Sequence, residues 1–134
     1  MSDAAQRIMT FLTFSGNAEE AMQYYVDLFP GARVVEVTRF GPGEQGPEGK
    51  VLNGTFELLG QRYMVMDMAP GNAPDFAWST SLLVMCEDEA EFDALFKGLS
   101  AGGNVMMGPE QVMDLRKVAW VTDKFGVTWQ LVWQ

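Results

Sequence analysis

The sequence predicts an α+β fold built from two βαβββ modules, and three observations predict it. Residues 11–34 (FLTFSGNAEEAMQYYVDLFPGARV) and 82–105 (LLVMCEDEAEFDALFKGLSAGGNV) align without a gap at a spacing of 71. Both copies place an N-cap residue, Asn17 or Asp88, three positions before a glutamate, Glu20 or Glu91, which is the spacing of a capping box. Both then carry apolar residues at i, i+3, i+4 and i+7: Ala21, Tyr24, Tyr25 and Leu28 in one, Phe92, Leu95, Phe96 and Leu99 in the other. A repeated strand-helix unit in a short chain implies a pseudo-twofold arrangement.

The elements follow in order. Residues 8–14 (IMTFLTF) read as a strand and 18–29 as a helix, closed at Pro30-Gly31. Residues 32–40 resume strand character, and the stretch 41–49 (GPGEQGPEG) is a loop. It has no helix after it, so it is not a phosphate-binding turn; it is an exposed connection or a flap. Residues 51–59 and 62–68 form a hairpin around Leu59-Gly60-Gln61. The second half repeats the order with strand 78–86, helix 89–100 closed at Gly102-Gly103, and strands 104–107, 115–122 and 127–133. Asp123-Lys124-Phe125-Gly126 makes the last tight turn, in which Asp123 hydrogen-bonds its own backbone. Matching Gly60 to Gly126 extends the duplication at a spacing of 66. The expected organisation is one domain over 1–134, with modules at about 7–68 and 76–133, since units of roughly 60 residues bury too little surface to stand alone.

Charge and composition exclude several functions. Nine basic against 18 acidic residues give a net charge of -9, which repels phosphate backbones and anionic membranes, so neither nucleic acid nor membrane is an expected partner. No apolar run spans a bilayer, and the polar start MSDAAQR carries no apolar signal segment, so the expected location is cytoplasmic. The chain has no histidine, which removes serine-histidine and cysteine-histidine catalysis. Its one cysteine, Cys86, ends an apolar strand and reads as a buried structural thiol. Glu57 and Asp67 remain as carboxylates for acid-base chemistry, against solvated or strand-edge roles. Catalytic residues are otherwise unknown.

Three stretches, SGNAEE (15–20), YYVDLFPGARVVEVTRFG (24–41) and WVTDKFGVTWQL (120–131), resemble the PhnB-like branch of the vicinal oxygen chelate, or glyoxalase/bleomycin resistance, superfamily. Its members carry the label 3-demethylubiquinone-9 3-methyltransferase domain, and the resemblance covers nearly all of residues 7–133. It implies a glyoxalase-like fold in which two βαβββ modules form a cup, and a homodimer. A methyl donor needs a larger nucleotide fold with a glycine-rich strand-to-helix turn, which this sequence lacks, so the methyltransferase label is not expected to describe its activity.

In the superfamily's metal enzymes the ligands come from equivalent strands, and the resemblance carries those positions to Thr10, Met64, Ser81 and Gln130. Asn53 stands where histidine is often found on the third strand. None of these is an imidazole or a carboxylate, so the expectation is no metal and no cofactor. The resemblance also places Met66 in the cup beside Met64. Met64, Met66 and Met68 alternate against Tyr63, Val65 and Asp67, a stripe that suits either a ligand surface or an ordinary core. Arg116 and Trp120 share a strand face and suit either an anionic or aromatic ligand or a salt bridge beside a core tryptophan. The leading expectation is a metal-independent protein that binds a small apolar or aromatic molecule. The alternative is a superfamily enzyme, an isomerase, lyase or dioxygenase, with an unconventional metal or carboxylate site.

Overall fold

A computed structural model describes residues 6–134. Most of the polar start read above, Met1 to Ala5, lies outside the described residues. The chain divides into two units that meet between Pro74 and Asp75. No helix is long and apolar enough to cross a membrane among the described residues.

The first unit runs β1 (Thr10–Phe14), α1 (Ala18–Leu28), β2 (Arg33–Arg39), β3 (Val51–Leu58) and β4 (Gln61–Asp67). Its sheet has the order β1-β4-β3-β2, with β1 parallel to β4 and the other pairs antiparallel. The apolar stripe of α1 packs on one face, where Ala18, Ala21, Met22 and Tyr25 are buried. Tyr25 meets Phe56 of β3 at 6.1 Å between ring centroids. Gly54 makes room there, because a Cβ on it would lie 3.2 Å from the Met22 sulfur and 3.0 Å from a Val65 methyl. Leu12, Phe14, Val65 and Asp67 complete this helix-facing side.

The second unit repeats the order with β5 (Ser81–Cys86), α2 (Glu89–Ser100), β6 (Asn104–Val112), β7 (Leu115–Thr122) and β8 (Thr128–Trp133). Its sheet order is β5-β8-β7-β6, with β5 parallel to β8. Phe92, Leu95 and Leu99 of α2 are buried with Ala119, Val121, Trp129 and Leu131. Lys117 binds the same helix from β7, with its ammonium 2.8 Å from both Glu89 and Asp93. Its pKa is raised by the hydrogen bonds to Asp93 and then Glu89. Both units are therefore βαβββ, as the repeat implies.

Three details differ from the sequence reading. The strand expected from Trp78 begins at Ser81, because Thr80 N–H closes a turn onto Ala77. The strand expected to stop at Met107 runs on to Val112, through register shifts that absorb Gly108-Pro109. The gapless spacing of 71 fits the helices but not the strands. Phe14 and Cys86 are the last buried positions of β1 and β5, and they are 72 apart. The extra residue falls in the link Ser15-Gly16-Asn17, where Gly16 takes φ +103°. Side chains alternate along a strand, so a one-residue slip exchanges the two faces.

The two helix starts also differ. Asp88 accepts a 2.8 Å hydrogen bond from Glu91 N–H, while the Glu91 carboxylate accepts one from Glu87 N–H, so a capping box of the expected kind holds α2. The Asn17 side chain caps nothing. Asp67, at the end of β4, accepts from Gly16 and Ala18 N–H at 2.9 Å through one oxygen and from Val51 N–H at 3.0 Å through the other. A carboxylate from 49 residues downstream thus does what Asn17 was expected to do.

Candidate functional site

The face of each sheet turned away from its helix, called the far face below, is where seven of the eight expected site residues fall. In β4, Tyr63, Val65 and Asp67 face the helix, so Met64 and Met66 point to the far side, as the alternation requires. Phe11 stands beside Met64 and Thr13 beside Met66 across the parallel β1–β4 pair. Thr10 stands beside Tyr63, in the helix-facing row. The face slip described above displaces it, and the far-face neighbour of Met64 is Phe11, which is 46% exposed. Asn53 lies on the far side between Thr38 of β2 and the Met66 row. Glu57 sits at one end of this face opposite Arg62, with Arg62 and Arg33 at 3.9 and 3.5 Å from its carboxylate. Asp67 is buried on the helix side with both oxygens engaged by backbone donors, which fits a structural carboxylate better than a proton carrier.

On the far face of the second sheet, Leu83, Gln130 and Trp120 form one row across β5, β8 and β7. Ser81, Thr128 and Thr122 form the next row, and Met85, Val132 and Val118 the row on the other side. The Gln130 amide donates to the Ser81 hydroxyl at 2.8 Å. Thr122 and Thr128 share a hydrogen bond at 3.1 Å. Leu83 and Met85 keep 52% and 54% of their surface exposed, although they lie mid-strand. Trp78, in the loop before β5, packs edge-on against Trp120 with ring centroids 5.8 Å apart. The Trp120 indole N–H is shielded from solvent and has no hydrogen-bond partner among the described residues.

Arg116 occupies a far-face position of β7, but its guanidinium lies 5.0 Å over the ring of Trp133. It stacks on a ring of the chain itself, an arrangement that the sequence reading, a ligand contact or a salt bridge, did not include. Cys86 is buried on the helix side, and burial first and the Glu91 charge second push its thiol up to about 11. Burial also raises the Tyr63 phenol. Asp123 accepts from Phe125 and Val127 N–H, as expected of a turn residue, and also from the Trp129 indole at 2.9 Å.

A cavity of about 290 Å³ opens at the start of α1, lined by Gly16, Asn17, Glu19, Glu20, residues 48–51 and Asp67. The expected loop 41–49 folds back here, tied by Phe40 N–H to Lys50 and by Gly49 N–H to Phe40. Four of its nine lining residues are carboxylates, and Asp67 already holds the Ala18 N–H, so the helix start is not available to a phosphate or carboxylate ligand. Neither helix start follows a glycine-rich turn from a parallel strand, which is the element a methyl donor's nucleoside would need. These residues do not fit that cofactor. Among the described residues, no group of three or more His, Cys, Asp or Glu could hold a metal ion.

A family model described as 3-demethylubiquinone-9 3-methyltransferase matches residues 6–132. The chain belongs to this family. A solved structure from Bacillus cereus, titled as a putative 3-demethylubiquinone-9 3-methyltransferase and PhnB protein, is similar to it with 38% identity and a TM-score of 0.89. That match covers 96% of this chain and 100% of the other. Protein YjdN of Escherichia coli is 25% identical over 135 residues, 90% of each chain. A member of the glyoxalase/bleomycin resistance protein/dioxygenase superfamily from Sphaerobacter thermophilus is 18% identical with a TM-score of 0.59, covering 96% of this chain and 98% of that one. This last likeness is one of fold. The 3-demethylubiquinone-9 3-methyltransferase family thus has here a member whose two modules are glyoxalase-like.

The sequence singled out Gln130, Ser81 and Trp120 for this face and missed Leu83, Met85 and Trp78. Leu83 and Met85 were legible as the alternate residues that follow Ser81 along its strand. Trp78 carried no such signal, since it was assigned to a strand that begins only after it.

Proposed function

We propose that the protein binds a small, largely apolar or aromatic molecule without a metal, against the far face of its second sheet. One observation carries the reading: Leu83 and Met85, exposed at mid-strand, lie on the same face as the hydrogen-bonded pair Gln130–Ser81. Apolar surface with a few placed polar groups is what small-molecule sites present, and methionine adapts to ligand shape. Met64, Met66 and Asn53 lie on the corresponding face of the first unit, which the resemblance also assigns to ligand contact. The four positions that superfamily metal enzymes use supply no imidazole or carboxylate, which supports the absence of metal chemistry.

The family label is not taken as the activity, since the residues do not fit a methyl donor. The same reading makes the protein a cytoplasmic homodimer, supported by the unpaired outer edges of β1, β2, β5 and β6 within their own sheets. Elemental analysis of the purified protein should find no stoichiometric zinc, nickel, iron or manganese. Near one equivalent per chain would overturn the reading in favour of an enzyme. Sedimentation at micromolar concentration should give twice the chain mass, and a monomer would remove the homodimer.

A further inference from the structure

The proposed site contains one group that the protein itself does not use. The Trp120 indole N–H is shielded from water and lacks an acceptor among the described residues, although leaving such a donor unmade costs about 1–3 kcal/mol. Native proteins pair nearly all buried polar groups, so an orphan beside a binding face calls for a partner from outside the chain. Trp120 lies in the row of Gln130 and Leu83, and the Trp78 ring packed edge-on against it is 60% exposed. Trp78 thus presents more than half of its surface to solvent directly beside Trp120.

The geometry points to an uncharged aromatic carbonyl compound as the ligand class, with its ring against Trp78 and Trp120 and its carbonyl oxygen accepting the Trp120 indole N–H. The inference rests on the binding reading above and narrows it. An indole donates and cannot accept, so a purely apolar ligand or a cation leaves the orphan unpaired. A carboxylate would need a cation to offset its desolvation. The nearest far-face cation on β7, Arg116, is stacked on Trp133, and the net charge of -9 disfavours anions. Ser81, which accepts from Gln130, keeps its own proton to offer as a second donor on the same face.

Acetophenone, ethylbenzene and benzoate test this as matched probes, read by the indole N–H resonances of nitrogen-15-labelled protein, with Trp120 assigned through Trp120→Phe. Acetophenone should move the Trp120 indole resonance downfield and bind about 3- to 10-fold more tightly than ethylbenzene, the range one net hydrogen bond supplies. Benzoate should bind most weakly, and Trp120→Phe should abolish the preference for the ketone. Equal affinity for acetophenone and ethylbenzene with an unmoved Trp120 resonance overturns the assignment and leaves the binding face standing. A ketone preference that survives in Trp120→Phe, or tighter binding of benzoate, overturns it too. If Trp120→Phe fails to fold, the wild-type resonance shift and the ketone-to-ethylbenzene ratio decide alone. Should none of the probes move any indole or the Gln130 side-chain amide, the binding reading falls with it.

Discussion

Gln130 reaches Ser81 diagonally: the two are hydrogen-bonded at 2.8 Å, yet in the β5–β8 ladder Gln130 stands beside Leu83, and Ser81 beside Thr128. The bond therefore couples two rows of the far face. It also fixes the amide of Gln130, with one oxygen and one N–H left over for another group.

Replacing Gln130 with leucine should destabilise the protein by about 1 kcal/mol while leaving the fold intact. A double-mutant cycle with Ser81→Ala, read from urea unfolding midpoints, should give a coupling of about 0.5–1.5 kcal/mol. A coupling near zero would mean that the pair contributes nothing in solution.

Asp67→Ala strips three backbone N–H groups of their acceptor. At about 1–3 kcal/mol for each buried donor left unmade, its loss of stability should exceed about 3 kcal/mol. Asp88→Ala removes one local cap and should cost about 1 kcal/mol. Asn17→Ala should change stability by no more than a few tenths, about the scale of substitutions away from special features. Chemical denaturation of the three variants checks the order, and a large effect at Asn17 would contradict it.

Cys86 should be inert to aromatic disulfides at pH 8 in the folded protein and react at once in denaturant, because its thiol is pushed up to about 11. The unfolded thiol, near 9.0, ionises first, so the native state holds more protons as pH rises between these values. Stability relative to Cys86→Ala should be level below pH 9 and fall from there towards 11. Comparing denaturation of the two proteins at each pH isolates this contribution.

Gly103→Ala and Gly60→Ala should separate crowding from backbone conformation. A Cβ on Gly103 would meet the Thr122 carbonyl oxygen at 2.2 Å, a backbone atom that cannot turn away, whereas nothing lies within 4 Å of one on Gly60. Gly60 has φ +80°, so alanine there should cost about 1–2 kcal/mol from the left-handed conformation alone. Gly103→Ala should cost more and shift the β6–β7 end, measurable as a lower melting temperature.

The βαβββ order was legible because each helix has an unbroken apolar stripe and strands such as β4 and β5 a two-residue alternation, signals that survive single-residue errors. Face assignments do not survive them. The slip at Ser15-Gly16 has no apolar marker, and it put Thr10 with Met64 when the ladder pairs Thr10 with Tyr63. Asp123 was readable because its acceptors serve its own turn. Asp67 was not, because its partners Gly16, Ala18 and Val51 are brought to it only by the finished sheet. Trp120 was identified by its place on a strand, but no pattern in the chain reveals that its N–H would go unpaired.

The two helices also differ in when their ends can be secured. Everything that caps α2 lies within the segment Glu87–Glu91, so its first turn can nucleate as soon as that stretch leaves the ribosome. The first turn of α1 must wait for residue 67 to be synthesised and for β4 to dock beside β1 and β3, with a loop-closure cost set by the intervening chain. A chain that stops short of Asp67 would carry all of α1 and still lack the group that starts it.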